Sequence, residues 1–184
     1  MTTENLLADV RLACQRFPAQ FQTLHLGTVA ADGQPEASYA PYVADQGRYY
    51  VYLSRLARHA GNLRDVPRAS VLFIEDEAQA KHLFARERLT LACAVTEVSR
   101  DTPRFEVVLD LFGERFGKFM QVMRPLQDFG LFELQPVTGS YVAGFARAYV
   151  LDGGDLDHIR HRNDGGHLAP DREAEQRLNE ELTP

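Results

Sequence analysis

Residues 23–53 read TLHLGTVAADGQPEASYAPYVADQGRYYVYL, and this stretch decides the fold. It holds three runs rich in apolar, aromatic and β-branched residues, at 24–30, 36–43 and 48–53, which is typical of strands. Asp32-Gly33, between the first two runs, is a strong hairpin signal, and Asp45-Gln46-Gly47 separates the second run from the third. The sequence therefore opens its sheet with antiparallel hairpins.

The remaining elements are predicted outward from this stretch. They are a helix over 6–17 ended by Pro18, a helix from Arg55 to about Val66 capped by Ser54 and stopped by Pro67, strands at 69–74 and 88–98, helical segments over 103–122, extended runs at 129–134 and 140–150, and a last helix at 171–182. About six strands favour a closed or nearly closed antiparallel barrel with flanking helices, a mainly β, α+β fold. We expect residues 1–150 to form the barrel domain and 151–184 a polar tail that contributes to the ligand site.

The composition indicates one domain without a membrane span. The chain has 184 residues, and no run approaches the ~18 apolar residues that a transmembrane helix needs. The polar start, Met1 to Asn5, does not have the pattern of a signal peptide, so we expect a cytoplasmic protein. Cys14 and Cys93 lie in apolar patterns and are predicted to be buried thiols rather than a disulfide or a metal pair.

The charge is distributed unevenly. The formal net charge is −6, and residues 151–184 hold nine acidic and four basic residues, so the tail carries −5 of it. By contrast, residues 54–68 contain four arginines against Asp65 alone. A local basic patch on a nearly neutral body suits a small anion, and the chain lacks the basic stripe that nucleic-acid binding needs.

The first candidate site lies where a predicted strand runs into a helix, because free N–H groups at a helix N-terminus favour an anion. Arg55, Arg58, His59 and Asn62 are three or four residues apart and are predicted to share one helix face. An arginine fork suits a phosphate or a carboxylate. The alternative is a solvated helix face.

Two charged residues elsewhere are further candidates. Arg88 stands at the mouth of an apolar strand, where it would cover a ligand carboxylate or pair with Glu87 or Asp76. Asp128 precedes Phe129-Gly130 at the start of a strand, without the other motifs of a kinase. Its carboxylate would either cap a turn or orient a metal-binding imidazole.

His167 is the candidate metal ligand. None of the six histidines has a zinc-site spacing, but His167 follows Gly165-Gly166 in the tail, where the chain can swing. A histidine on such an arm, with the Asp128 carboxylate behind it, would present one imidazole to haem iron. His158 and His161, predicted on a short helix, are alternative ligands.

Six strings in order resemble the HugZ-type haem-utilisation family, a branch of the pyridoxamine 5′-phosphate oxidase-like, FMN-binding split barrels. They are Thr23-Leu24-His25-Leu26-Gly27-Thr28, Ser54-Arg55-Leu56-Ala57-Arg58-His59 with Asn62-Leu63, Ser70-Val71-Leu72, Ala85-Arg86-Glu87-Arg88-Leu89-Thr90, Asp128-Phe129, and Gly144-Phe145-Ala146-Arg147-Ala148. The resemblance covers about residues 15–150. It implies a six-stranded split barrel, a homodimer, and ligand sites at the dimer interface.

The resemblance also implies a function, namely binding haem and degrading it with oxygen and a reductant. Asp128 would match the carboxylate that supports an axial histidine from the neighbouring subunit, His167 that histidine, and Arg88 a haem-site arginine. Thr23 and His59 would be further site residues. The wider superfamily binds FMN, with its phosphate at the Arg55–His59 segment. An FMN-dependent oxidoreductase and a non-catalytic haem or flavin carrier are therefore the alternatives.

Overall fold

The computed structural model describes residues 3–144, 147–153 and 156–162, with side chains from residue 7 onward. The helices are α1 (Thr3–Arg16), α2 (Arg58–Asp65), α3 (Pro103–Phe116) and α4 (Phe119–Met123). The strands are β1 (Thr23–Val29), β2 (Pro35–Asp45), β3 (Arg48–Ser54), β4 (Arg68–Ile74), β5 (Arg88–Val98), β6 (Phe129–Val142), β7 (Ala148–Asp152) and β8 (His158–His161). No helix within these ranges is long and apolar enough to cross a membrane.

Six of the strands close into a barrel. Their order is β3-β2-β1-β4-β5-β6, and β6 pairs back onto β3 over Tyr49–Ser54 and Phe129–Leu134. All of the pairings are antiparallel. The prediction of a six-stranded antiparallel split barrel is therefore confirmed.

Strand β6 is longer than the sequence pattern indicates. The two extended runs predicted at 129–134 and 140–150 are instead one strand to Val142 and a second at Ala148–Asp152. Pro136 interrupted the pattern, but it lies at a bulge where Cys93 faces Pro136 and Ala92 faces Thr138. A proline is tolerated there because the ladder is already broken. The second half of β6 then pairs with β7, and β7 with β8, so the sheet continues past residue 150.

The barrel interior is the main core. Alternate residues of the strands fill it; α1 and α2 add Val10, Cys14, Ala60 and Leu63, and Phe17 is added by the short 3-10 turn that follows α1. Both cysteines are buried and unpaired, as predicted, and burial raises the pKa of each thiol to about 12. They are therefore protonated, inert core residues.

A second core lies outside the barrel, beneath α3. Phe105, Val108, Leu109 and Phe112 pack there against Tyr50, Tyr52 and Leu131 of β3 and β6. Thr102 caps the helix, accepting the Phe105 N–H at 3.3 Å, and Pro103 occupies its first position. This core fixes the β5–α3 loop and the α4–β6 turn beside each other.

Candidate functional site

Asp128 is the last residue before β6, in the turn formed by residues 124–129, which we call the Asp128 turn. The Arg55 N–H donates to the Asp128 carbonyl oxygen at 2.6 Å and ties the turn to the end of β3. The Asp128 residue is exposed. Within the described ranges its carboxylate makes no hydrogen bond or ion pair, so it is available as an acceptor.

Arg100, in the β5–α3 loop, holds the same turn from the other side. Its Nη2 donates to the carbonyl oxygens of Leu126 at 2.5 Å and Phe129 at 2.8 Å, and to the Tyr52 hydroxyl at 2.9 Å. Sequence reasoning missed this residue. These acceptors lie 26, 29 and 48 residues away along the chain, and no local pattern around Arg100 marks it.

The predicted helix at Arg55 begins later than expected. Its first residue is Arg58, and its N-cap, Ala57, offers no side-chain cap. Ser54 instead accepts the Leu56 N–H at 3.2 Å and closes a turn before the helix. The prediction that a helix starts at Arg55 with Ser54 as its N-cap is therefore wrong. Ser54 bonds within the turn that precedes the helix and does not cap the helix itself.

The four predicted anion-site residues do not share one face. The Arg55 guanidinium lies 3.6 Å from the Glu97 carboxylate, which also accepts from Arg64 at 2.9 Å. Arg58 instead pairs with Glu36 at 3.2 Å, and Asn62 donates to the same carboxylate at 3.3 Å. Two glutamates distant in sequence therefore divide the arginines into separate groups.

Arg58, His59 and Asn62 remain together with β1 and β2. Asn62 is buried and also donates to the Thr28 hydroxyl at 3.0 Å. We call this set of three residues the α2 cluster. Within this cluster the Arg58 side chain is exposed, with 74% of its surface accessible to solvent.

The His59 ring has a defined tautomer. Its Nδ1 lies 3.0 Å from the Ser38 hydroxyl oxygen, and that hydroxyl donates its proton to the Leu26 carbonyl oxygen at 3.1 Å. With the hydroxyl proton donated to Leu26, Nδ1 carries the ring proton and Nε2 is left as the basic nitrogen. Burial lowers the pKa of His59 below 6.5, against a smaller opposing effect of Glu36, so the neutral form predominates at pH 7.

An apolar cleft of about 810 Å³ opens beside the α2 cluster. Thr28 and Glu36, which bond to the α2 cluster, line one side of it, and the rest is Arg68, Ser70 and mainly small apolar side chains of the barrel strands. A cleft with mainly apolar walls and one lining arginine can take a flat, apolar anion.

Arg88 and Thr23 lie away from Asp128. Arg88 begins β5 and donates to the Arg86 carbonyl oxygen at 3.1 Å, and within the described residues no carboxylate pairs with it. The other end of β5, Val98, is the one that pairs with Leu131 near the Asp128 turn. The ten residue steps from Arg88 to Val98 span about 33 Å of strand. This is too far for one small ligand to touch the Arg88 and Asp128 side chains of the same subunit.

Thr23 starts β1, is exposed, and pairs with Pro41 of β2. β1 is separated from β6 by β2 and β3 around the barrel. One chain therefore presents the predicted site residues as separate groups: Asp128 with Arg55, the α2 cluster, Arg88, and Thr23.

The candidate iron ligands are placed only in part. His158 and His161 lie on strand β8, so the short helix predicted for them is wrong; residues three apart on a strand face opposite sides of the sheet. His167 and the helix predicted at 171–182 lie outside the described residues. Among the described side chains no cluster of three or more histidine, cysteine or acidic groups is placed to hold a metal.

The donor set nevertheless fits haem. The porphyrin supplies four ligands of its own, so one imidazole suffices for the iron, and a carboxylate free of other bonds can orient that imidazole. Arg88 and Arg58 are cations at or near the surface for propionates. Arg55 and Arg58 each lie against a carboxylate, so a haem propionate or an FMN phosphate bound there would have to displace Glu97 or Glu36.

The family model of pyridoxamine 5′-phosphate oxidase matches residues 11–143, more than half of the chain. The chain belongs to this family. Within the family, it is 43% identical over 162 residues to the haem oxygenase HutZ of Vibrio cholerae, covering 88% of this chain and 92% of HutZ. The HugZ-type resemblance recognised in the sequence is thereby confirmed.

Solved structures of family members agree. The crystal structure of V. cholerae HutZ, described as a haem storage protein, superposes with a TM-score of 0.62 at 44% identity, over 70% of this chain and 88% of that one. Campylobacter jejuni ChuZ gives 0.78 at 28% identity, over 89% of this chain and 66% of ChuZ. An FMN-binding protein from Nostoc punctiforme, at 15% identity and a TM-score of 0.56 over 83% and 93% of the two chains, shares the fold.

Proposed function

We propose that this protein binds haem and degrades it with oxygen and a reductant. His167 of one subunit ligates the iron, and Asp128 of the other accepts the imidazole N–H. Arg88 and the α2 cluster hold the propionates, and Thr23 is a further residue of the site. The similarity to HutZ, itself described as a haem oxygenase, supports the activity.

The unpaired carboxylate of Asp128 is the observation that carries the proposal. The structure holds the turn at both sides, through Arg55 and Arg100, yet leaves the carboxylate without a partner in the part of the chain it describes. A carboxylate that accepts an imidazole N–H fixes the tautomer of the ligand and raises its basicity. Bound haem supplies the iron centre for oxygen chemistry, and the protein orients the ligand that controls it.

The separation of Arg88 from Asp128 supports a shared site in a homodimer. About 33 Å of strand divides them in one subunit, so a ligand in contact with both would have to lie between two chains. The family resemblance assigns His167 of one subunit to Asp128 of the other in such a dimer.

Titration with haemin tests the ligand assignment. We expect the wild-type protein to shift the Soret band and His167→Ala to abolish the shift. His158→Ala and His161→Ala are matched controls that should bind normally. An unchanged Soret shift in His167→Ala would show that His167 is not the iron ligand. Loss of the shift in His158→Ala or His161→Ala would assign the ligand to β8 instead.

Addition of ascorbate in air tests the activity. A haem-degrading protein loses the Soret band over time, whereas a haem carrier keeps it. We expect loss in the wild type and slower loss in Asp128→Asn. A stable Soret band in the wild type would show that the protein carries haem and does not degrade it.

The second candidate function is an FMN-dependent oxidoreductase, which the match to the pyridoxamine 5′-phosphate oxidase model favours. It predicts a yellow protein with a flavin absorption band as purified, and loss of that band in Arg58→Ala. A colourless protein that does not retain added FMN would exclude it.

A further inference from the structure

Arg100 is bonded in an unusual way for an arginine in a loop. Its guanidinium carbon lies 5.1 Å from the centre of the Phe105 ring. Its Nε is buried without a hydrogen-bond partner among the described residues. Such an unsatisfied donor is costly, so the bonds made by the other nitrogens must hold the group in place.

Those bonds converge on the Asp128 turn. Nη2 reaches the Leu126 and Phe129 carbonyl oxygens and the Tyr52 hydroxyl, and Nη1 lies 3.5 Å from the Arg124 carbonyl oxygen. The two closest carbonyl groups belong to residues on either side of Asp128 in the chain. Arg100 therefore binds the backbone of the turn and leaves the carboxylate uncovered.

The turn has further contacts besides those of Arg100. The Arg55 N–H donates to the Asp128 carbonyl oxygen, the Tyr52 hydroxyl lies 3.4–3.5 Å from the Arg124 and Leu126 carbonyl oxygens, and the Arg124 guanidinium pairs with two carboxylates of α3. The turn has no regular secondary structure of its own between α4 and β6. Without Arg100, the carbonyl groups of Leu126 and Phe129 would lose their charge-assisted donor. Next to Asp128, the Arg55 bond and the pairing of Phe129 with Ser54 would remain.

We propose that Arg100 is a positioning residue that holds the Asp128 carboxylate in the orientation needed to accept an imidazole N–H. This inference rests on the proposed role of Asp128 in haem binding. Arg100 itself touches neither haem nor the imidazole. Its planar fork reaches several acceptors at once, which a lysine ammonium at the end of a flexible chain does not reproduce.

Hydrogen exchange in the haem-free protein tests the first half of the proposal. In Arg100→Lys we expect the hydrogen-bonded amides of Arg55, Arg124 and Leu126 to exchange about tenfold faster, while the amides over 109–116 of α3 are unchanged. Arg115→Lys is the matched control, because Arg115 also donates to a carbonyl oxygen, that of Phe21, and lies over a ring, that of Tyr42. Equal exchange in Arg100→Lys and the wild type would overturn the proposal.

A double-mutant cycle tests the second half. We expect Arg100→Lys and Asp128→Asn each to weaken haem binding about tenfold and to lower the iron–imidazole stretching frequency of the ferrous complex. The double variant should match Asp128→Asn alone, because Arg100 acts through the carboxylate. Additive losses, or an equal loss in Arg115→Lys, would show a general effect on the fold and overturn the proposal.

A milder variant guards against a misfolded Arg100→Lys protein. Tyr52→Phe keeps the buried ring but removes one acceptor of Nη2 and the hydroxyl contacts of 3.4–3.5 Å with the Met123, Arg124 and Leu126 carbonyl oxygens. It should produce a smaller change of the same sign in exchange and stretching frequency. No change in Tyr52→Phe together with an unfolded Arg100→Lys would overturn the positioning role. If Asp128→Asn leaves haem binding and the stretching frequency unchanged, the role of Asp128 fails and the inference with it. If only Arg100→Lys is without effect, the inference alone fails.

Discussion

At the level of single residues, His59 shows how burial and one hydrogen bond define the state of a titratable group. Ser38 fixes the proton on Nδ1, and burial lowers the pKa of the ring below 6.5. The unfolded chain therefore takes up a proton at a higher pH than the folded protein does. Between those two pKa values the unfolded state binds more protons, so stability falls as the pH falls below about 6.5.

His59→Asn tests this linkage, because an asparagine side chain can keep a donor near Ser38 and does not titrate. We expect the urea midpoint of the wild type to fall between pH 7.5 and pH 5.5 by more than that of His59→Asn. His25→Asn is the control, since His25 is an exposed residue on β1. Parallel pH profiles for the wild type and His59→Asn would contradict the assignment.

At the level of elements, the start of β6 leaves little room for a side chain at Gly130. A Cβ there would lie 2.8 Å from a Glu97 carboxylate oxygen and 3.2 Å from the buried Phe132 ring. We expect Gly130→Ala to destabilise the protein by about 1–3 kcal/mol, because the Arg64–Glu97 pair and the ring must shift. Chemical denaturation would measure the loss.

Gly113→Ala is the matched control for that substitution. Gly113 lies inside α3, and a Cβ there meets no atom within 4 Å. We expect a stabilisation of about 0.5–1 kcal/mol, since alanine restricts the unfolded chain and favours a helix. If both alanine variants lose similar stability, close packing at the start of β6 is not the cause.

At the level of the whole molecule, the proposed site joins two subunits, and subunit exchange tests this directly. Asp128→Asn and His167→Ala homodimers each lack one member of every Asp128–His167 pair. After exchange, heterodimers contain one intact site, so about a quarter of all sites should recover wild-type haem binding. The same mixture without exchange should show no recovery.

Recovery measured by the Soret amplitude must follow the heterodimer fraction measured by mass spectrometry. Exchange without recovery would place His167 and Asp128 in the same subunit. A protein that sediments as a monomer at all concentrations would rule out the shared site.

Residue periodicity and local turn chemistry were enough to predict most of the barrel strands, the hairpin turns, the buried cysteines and the arginine-rich segment, but not the full length of β6 or the strand β8. The sequence also carried the family resemblance that pointed to Asp128. Which residues meet was decided only by the tertiary structure. Closure of β6 onto β3 placed Glu97 beside Arg55, and β2 placed Glu36 beside Arg58. The single anion site predicted from the sequence is therefore divided into an Arg55 group and an Arg58 group. Arg100 reached the Asp128 turn for the same reason: its acceptors come from distant parts of the chain, and strand register and helix packing bring them together.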